Sequence, residues 1–379
     1  MTPEQAPTNT SPDDANEASG SEQSGSKRGR NLRAAIVSTL LIGAFVWILS
    51  RGGFPLLPPA GWLAKLKGYY FVTFCAAMVF NMLTRFARCH FLLAPLAPVP
   101  FRRVMTINAI GMALITYLPL RIGEMARPAM LREKGALSAW AVTGTVGAER
   151  ILDGLVFSGM LLVGLALATP QNPLPDHVGA LPVPVWIIPQ TARIAALVFA
   201  VAFVVMAAFY WLRAQARRTT EAVVGVFSKK LATRVADIVE RLSDGLRFLT
   251  NFRYSVPYLA ITIVSVLSQV WALEQLATAV GMPELDFAEA MVVLGVLALG
   301  FSAPNAPGFF GMVQLALYAG LATYIAPAKV AHEGAVFVFL FYVVYLLNVT
   351  LLAAIALVVE FFLSPRMLKA RSVSSLGST

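Results

Sequence analysis

Charge is scarce in this chain. Asp, Glu, Lys and Arg together make up 13% of the 379 residues, about half of the ~25% usual in a soluble domain. A water-facing surface cannot be built from that supply, so most of the surface must face lipid. Histidine is scarcer still: His90, His177 and His332 stand far apart. No HExxH, paired CxxC or P-loop sequence occurs, which argues against a zinc or P-loop enzyme. Cys75 and Cys89 are the only cysteines and lie in or beside one apolar stretch, which argues against a disulfide framework. No metal and no cofactor is expected.

What the chain has instead is apolar length, with 58% hydrophobic residues. The expected fold class is all-α, a polytopic helical bundle in the inner or plasma membrane. The net charge of +10 sits in particular loops, as the positive-inside rule requires, and does not call for a nucleic-acid partner.

Residues 1–30 are polar and rich in Ser, Pro, Asn, Glu and Gly, too poor in apolar surface to order themselves. A regulatory tail and a plain solvated leader both fit. About six apolar stretches approach the ~20 residues that cross the hydrocarbon. They run roughly Leu32–Leu49, Gly68–Leu83, Leu137–Ala168, Ala192–Leu212, Val256–Ala279 and Gly334–Phe362. Lys27, Arg28, Arg30 and Arg33 place the N-terminus in the cytoplasm, and Arg366, Lys369 and Arg371 place the tail 364–379 there too. Arg85, Arg88, Arg102 and Arg103 are expected in a cytoplasmic loop. The proline-rich loop 169–190 has no Lys or Arg and reads as external. Arg51, Lys65 and Lys67 fit the rule poorly; the lysines would have to snorkel. Residues 213–253 are basic, with apolar residues at spacings of three and four. This predicts an amphipathic helix, lying on an anionic leaflet or packed on the protein's own loops.

Two apolar segments are interrupted. Val104–Met130 breaks at Leu118-Pro-Leu-Arg-Ile-Gly-Glu124, and Phe287–Tyr324 breaks at Ala303-Pro-Asn-Ala-Pro-Gly-Phe-Phe-Gly311. Proline removes a helix hydrogen bond and glycine allows reversal. Unwound backbone at membrane depth survives only where protein or a wet cavity satisfies it. The flanking charges are met most simply by two re-entrant hairpins entering from opposite sides, an inverted repeat. Full crossing by each half-segment is the alternative.

The ionisable residues near the first break are Arg121, Glu124 and Arg127, spaced for one helix face, and Glu149, Arg150 and Asp153 follow inside the long apolar stretch. Each buried charge costs at least ~2.5–3.5 kcal/mol, so such groups face the bundle interior. Arg121 and Arg127 could pair with Glu149 and Asp153, and Glu124 with Arg150. An anion site, in which the arginines hold a phosphate, and a self-neutralising structural network both fit. At the second break Ser302, Asn305, Gly308, Gln314 and Tyr318 are candidates to meet a headgroup or to cap a packed turn. Asn81, Asn108, Gln269, Gln275 and Asn348 read as helix–helix glue.

The run Leu118-Pro-Leu-Arg-Ile-Gly-Glu-Met-Ala-Arg-Pro128, then Glu149-Arg-Ile-Leu-Asp153, then Ala306-Pro-Gly-Phe-Phe-Gly311 resembles the transmembrane, flippase-like domain of lysylphosphatidylglycerol synthases and their stand-alone relatives. The likeness covers roughly Leu32 to Phe362. It implies a protein that moves a lipid with a phosphate-containing headgroup between leaflets, with both motifs lining the path. The domain is taken as 31–363. The synthases carry a soluble aminoacyl-transfer domain after the membrane part; this chain ends soon after Phe362, so synthase activity is not implied. Gln314 stands where relatives often have an acidic residue, which weakens a proton-coupled role there. An anionic lipid is the expected ligand. A separate lipid-modifying enzyme and a second copy of the chain stay open as partners. An intramembrane transferase and a non-transporting scaffold stay open as rival functions.

Overall fold

In lipid an apolar run has one local solution, a helix that satisfies its own backbone N–H and C=O groups. All elements among the described residues are helical. The computed structural model describes residues 60–118, 123–131, 137–171, 186–211, 243–302 and 306–376, with isolated positions between 39 and 58 and between 237 and 241. The helices are α1 (Gly68–Leu93), α2 (Phe101–Tyr117), α3 (Ala126–Leu131), α4 (Ala139–Leu167), α5 (Ile187–Trp211), α6 (Phe252–Val280), α7 (Phe287–Ser302), α8 (Met312–Ala322) and α9 (Pro327–Leu376). Helices α1, α4, α5, α6 and the Pro327–Phe362 part of α9 are each long and apolar enough to cross a membrane. The protein is a polytopic α-helical membrane bundle. Five expected spans are therefore present. The sixth, Leu32–Leu49, lies largely outside the described residues, as do the tail 1–30, the loop 172–185 and the basic stretch 212–236.

Two boundaries differ from expectation. Helix α5 starts at Ile187 rather than Ala192, because Pro189 falls in the first turn, where a missing N–H costs nothing. Helix α1 continues ten residues past Leu83, to Leu93. Arg85 and Arg88 thus lie on a spanning helix and not in a loop. The charge density that suggested a loop is neutralised by carboxylates of α4.

Both breaks are real. Helix α2 ends at Tyr117, and Leu118 is extended (φ −86°, ψ 139°), as the residue before a proline should be. The described chain resumes at Gly123, where an added Cβ would lie 2.2 Å from the carbonyl carbon of Leu114; the chain folds back against α2. In the second break Gly308 (φ 74°), Phe309 (φ 56°) and Gly311 (φ 86°) are left-handed. The Gly311 N–H donates to Gln314 Oε1 at 2.7 Å, which starts α8. The described part of the basic segment packs inward: Leu246 and Phe248 are buried against Leu92, Ala148, Met206 and Tyr258.

Helices α1–α4 and α6–α9 have matching arrangements. α1 packs along α6, α2 packs on α9, and α7 packs on α4; α2 lies beside α1 as α7 lies beside α6. Exchanging the two sets leaves these pairings unchanged. Pro119 and Gly123 stand 185 residues before Pro304 and Gly308, and α1, α2 and α3 start 184, 186 and 186 residues before α6, α7 and α8. Asn81 on α1 donates to the Ser265 carbonyl on α6 at 2.6 Å. These residues are 184 apart, so their bond sits where the pseudo-two-fold axis between the halves would pass. Helix α5 stands outside the repeat, against α4, where Gly154 admits the ring of Phe199.

A Cβ at Gly308 would meet the Tyr342 hydroxyl at 2.9 Å as well as adopting a left-handed φ. Gly308→Ala is expected to lower stability by roughly 1–2 kcal/mol, read as thermal unfolding in nanodiscs. Tyr342→Phe, which removes the crowded hydroxyl, should restore part of the loss.

Candidate functional site

The site grows from one turn of α4. Glu149 and Asp153 are four residues apart and both buried, so one helix face presents two carboxylates to the bundle interior. Arg88 of α1 meets them. Its Nη1 and Nη2 donate to Asp153 Oδ1 and Oδ2 at 2.6 and 2.7 Å, a two-pronged pair. Nη2 also reaches Glu149 Oε1 at 3.3 Å, and Nη1 donates to Thr262 Oγ1 of α6 at 3.0 Å. The guanidinium lies 5.3 Å from the Tyr258 ring centre, a cation–π contact. Arg127 of α3 closes the other side: Nη1 donates to Glu149 Oε2 at 2.8 Å and Nη2 to Cys89 Sγ at 3.0 Å. Its stem fits because α2 offers Gly111, where a Cβ would stand 2.8 Å from Arg127 Cγ.

Around this core lies a second, more exposed layer. Arg85 Nη2 is 4.0 Å from Asp153 Oδ2, and Arg150 Nε is 3.7 Å from Glu124 Oε1. Both gaps are too wide for hydrogen bonds. Exposure separates the layers: the side chains of Arg88, Glu149 and Arg127 are 3%, 3% and 8% exposed, those of Arg85, Glu124 and Arg150 27%, 27% and 28%. Four arginines face three carboxylates, so among the described residues the cluster carries one positive charge in excess.

This outer layer opens on a cavity of about 320 Å³. Arg85, Glu124, Arg150 and Asp153 form its charged part. Met78 and Met82 of α1, Met112 and Ile115 of α2, Phe157 and Leu161 of α4, and Leu294 and Leu299 of α7 form an apolar body. Phe301, Phe309, Phe341 and Tyr345 add an aromatic wall, with Phe301 and Phe309 edge to face at 4.9 Å. Both halves of the repeat line the space.

The structure sorts the sequence candidates. Arg127 pairs with Glu149, and Arg150 lies beside Glu124, as expected. Asp153 is held by Arg88, not by Arg127. Arg121 and Asn305 lie outside the described residues, as does the side chain of Ser302. Gly308 and Gln314 are buried in the second break but do not line the cavity; their neighbour Phe309 does. Of the expected glue residues, Asn81 and Gln275 bond across α1 and α6, whereas Asn108 bonds within its own helix. Gln269 lines the cavity. Arg85 and Arg88 were missed as site residues because each counts as a loop charge under a topology rule. Their spacing of three beside two carboxylates spaced by four was the available signal. Among the described residues, no three His, Cys, Asp or Glu side chains gather to hold a metal ion.

Arg88→Ala strands two buried carboxylates and is expected to cost about 3–5 kcal/mol, whereas Arg85→Ala should cost less than about 1 kcal/mol. Unfolding of the variants in nanodiscs checks this. The double change Arg88→Met, Asp153→Leu should be more stable than Arg88→Ala alone. Equal losses for Arg85 and Arg88 would contradict the two-layer description.

No curated protein and no solved structure matches the chain. The family described as Lysylphosphatidylglycerol synthase TM region matches residues 32–354, a stretch that contains the ion cluster, both breaks and all the cavity walls. The chain therefore belongs to the lysylphosphatidylglycerol synthase transmembrane-region family.

Proposed function

We propose that this protein moves an anionic, phosphate-containing lipid between the leaflets of the inner or plasma membrane. The observation that carries the reading is the cavity between the two halves of the repeat, with a charged part of two arginines and two carboxylates joined to an apolar body, beside an ion cluster that holds one arginine in excess among the described residues. A phosphate at the charged part would replace loose pairs: Arg85 and Arg150 turn from Asp153 and Glu124 to the incoming oxygens. The buried Arg88–Asp153 and Arg127–Glu149 pairs keep the frame in place meanwhile. Arg121, in the first break, is a further candidate cation. Asn305, in the second, is a candidate headgroup contact.

In this reading the two broken segments are re-entrant hairpins entering from opposite sides, both termini are cytoplasmic, and transport proceeds by movement of one half against the other. The extended backbone at Leu118 and the left-handed turn at Gly308–Gly311 support it, because such geometry needs a protein or cavity partner at membrane depth. The sequence has no ATP-binding motif, so movement is downhill or coupled to an ion.

The test is leaflet exchange in proteoliposomes, using labelled anionic phospholipids with one chain and with two. The intact protein should accelerate exchange. Arg85→Gln and Arg150→Gln should each slow it at least about tenfold while leaving the melting temperature nearly unchanged. No acceleration of any of these lipids by folded protein would remove the transport reading. Full activity in both variants would remove the cavity as the path.

A further inference from the structure

A headgroup path and a hydrocarbon site make different demands on a cavity wall. A path for a hydrophilic headgroup needs free polar groups along its length. Among the described residues the wall offers charge only from Arg85, Glu124, Arg150 and Asp153. Along α4 the lining runs from Arg150 to Leu161, roughly 16 Å at 1.5 Å rise per residue, and the charges stop at Asp153. Along α1 it runs from Arg85 back to Met78. Arg85 and Asp153 are neighbours, so both helices place their charges together and their apolar residues beyond.

The few polar side chains in the body are mostly engaged within the protein. Asn81 donates to the Ser265 carbonyl and hydroxyl at 2.6 and 3.0 Å. Ser158 donates to the Gly154 carbonyl at 2.7 Å. Apart from the amide of Gln269, what remains facing the space among the described residues is mainly methionine, leucine and aromatic surface, which water leaves readily and hydrocarbon fills. At about 320 Å³ the cavity is at the small end of the ~300–1,000 Å³ range of small-molecule sites. So small a space favours one chain over two.

We propose that the cavity binds an anionic amphiphile with a single hydrocarbon chain, its phosphate between Arg85 and Arg150 and its chain laid along the methionine, leucine and phenylalanine body. This rests on the reading of the protein as a lipid carrier and names the ligand class of the same site. The shared chemistry is one chain ending in a phosphate, whether the chain is an acyl group on glycerol phosphate or an isoprenoid. A two-chain lipid would have to leave its tails in the bilayer, and the apolar body would then have no occupant. Ala298 is the place to test this, since it lines the body on α7 and belongs to none of the ion pairs.

The experiment uses the full chain in phosphatidylcholine nanodiscs. Binding of radiolabelled palmitoyl lysophosphatidic acid is measured, with farnesyl monophosphate, dioleoyl phosphatidic acid and glycerol 3-phosphate as competitors. One-chain phosphates are expected to compete at concentrations at least about tenfold below the two-chain lipid, and glycerol 3-phosphate not to compete. Ala298→Trp should weaken binding about tenfold by filling the body, and Arg85→Gln about tenfold by removing the phosphate contact. Should Ala298→Trp fail to fold, Met82→Phe narrows the body more gently. The better of the two one-chain competitors identifies the source, and either supports the inference. Equal competition by the two-chain lipid, with Ala298→Trp binding normally, would overturn it. So would no binding of one-chain phosphate by protein that still exchanges two-chain lipid between leaflets, and the transport reading would then stand. Loss of both binding and exchange would overturn both.

Discussion

Arg88 is buried inside a helix bundle that faces lipid, where an unpaired cation is expensive. Its cost is met by the two carboxylate oxygens of Asp153, by Glu149 and by the hydroxyl of Thr262. That requirement joins α1, α4 and α6 at one level, and through Glu149 and Arg127 it adds α3. Arg85 is one turn from Arg88 and Arg150 is one residue from Glu149, so satisfying the buried pairs delivers two partly exposed arginines to the cavity wall.

The two halves share a backbone plan but not a chemistry. With the offset of 184 residues that relates α1 to α6, Arg85 corresponds to Gln269 and Arg88 to Ala272; the breaks are related by 185, from Gly123 to Gly308. Glu124 corresponds to Phe309, and both line the cavity. Among the described lining residues the first half therefore supplies all the charge together with part of the apolar body, and the second half supplies further apolar and aromatic wall and Gln269. An amphiphile needs both kinds of surface. A repeat in which one copy keeps the ion pairs and the other replaces them with uncharged side chains is one way to build them from a single fold.

The second break illustrates how unwound backbone is kept inside an apolar bundle. Gly308 and Gly311 take left-handed conformations at low cost. Phe309, left-handed without that freedom, is packed between Phe301 and Tyr345. Gln314 accepts the first free N–H of α8. This satisfies the turn locally and explains why Gln314 lies behind the cavity wall and not in it.

Composition and periodicity alone determined the membrane class, five of the spans, both breaks and the two-part plan, because lipid permits little besides helices and punishes proline and glycine wherever they interrupt one. The pairs Arg127–Glu149 and Arg150–Glu124 were legible too, since few opposite charges are available inside so apolar a chain. The role of Arg88 was not. A lysine or arginine at the end of an apolar run reads as a loop residue unless its partner is known, and Asp153 is 65 residues away. Which charges are buried as structure and which face the cavity was likewise decided only by tertiary packing. That packing brings α1, α3, α4 and α6 to one level and leaves Arg85 and Arg150 at its edge.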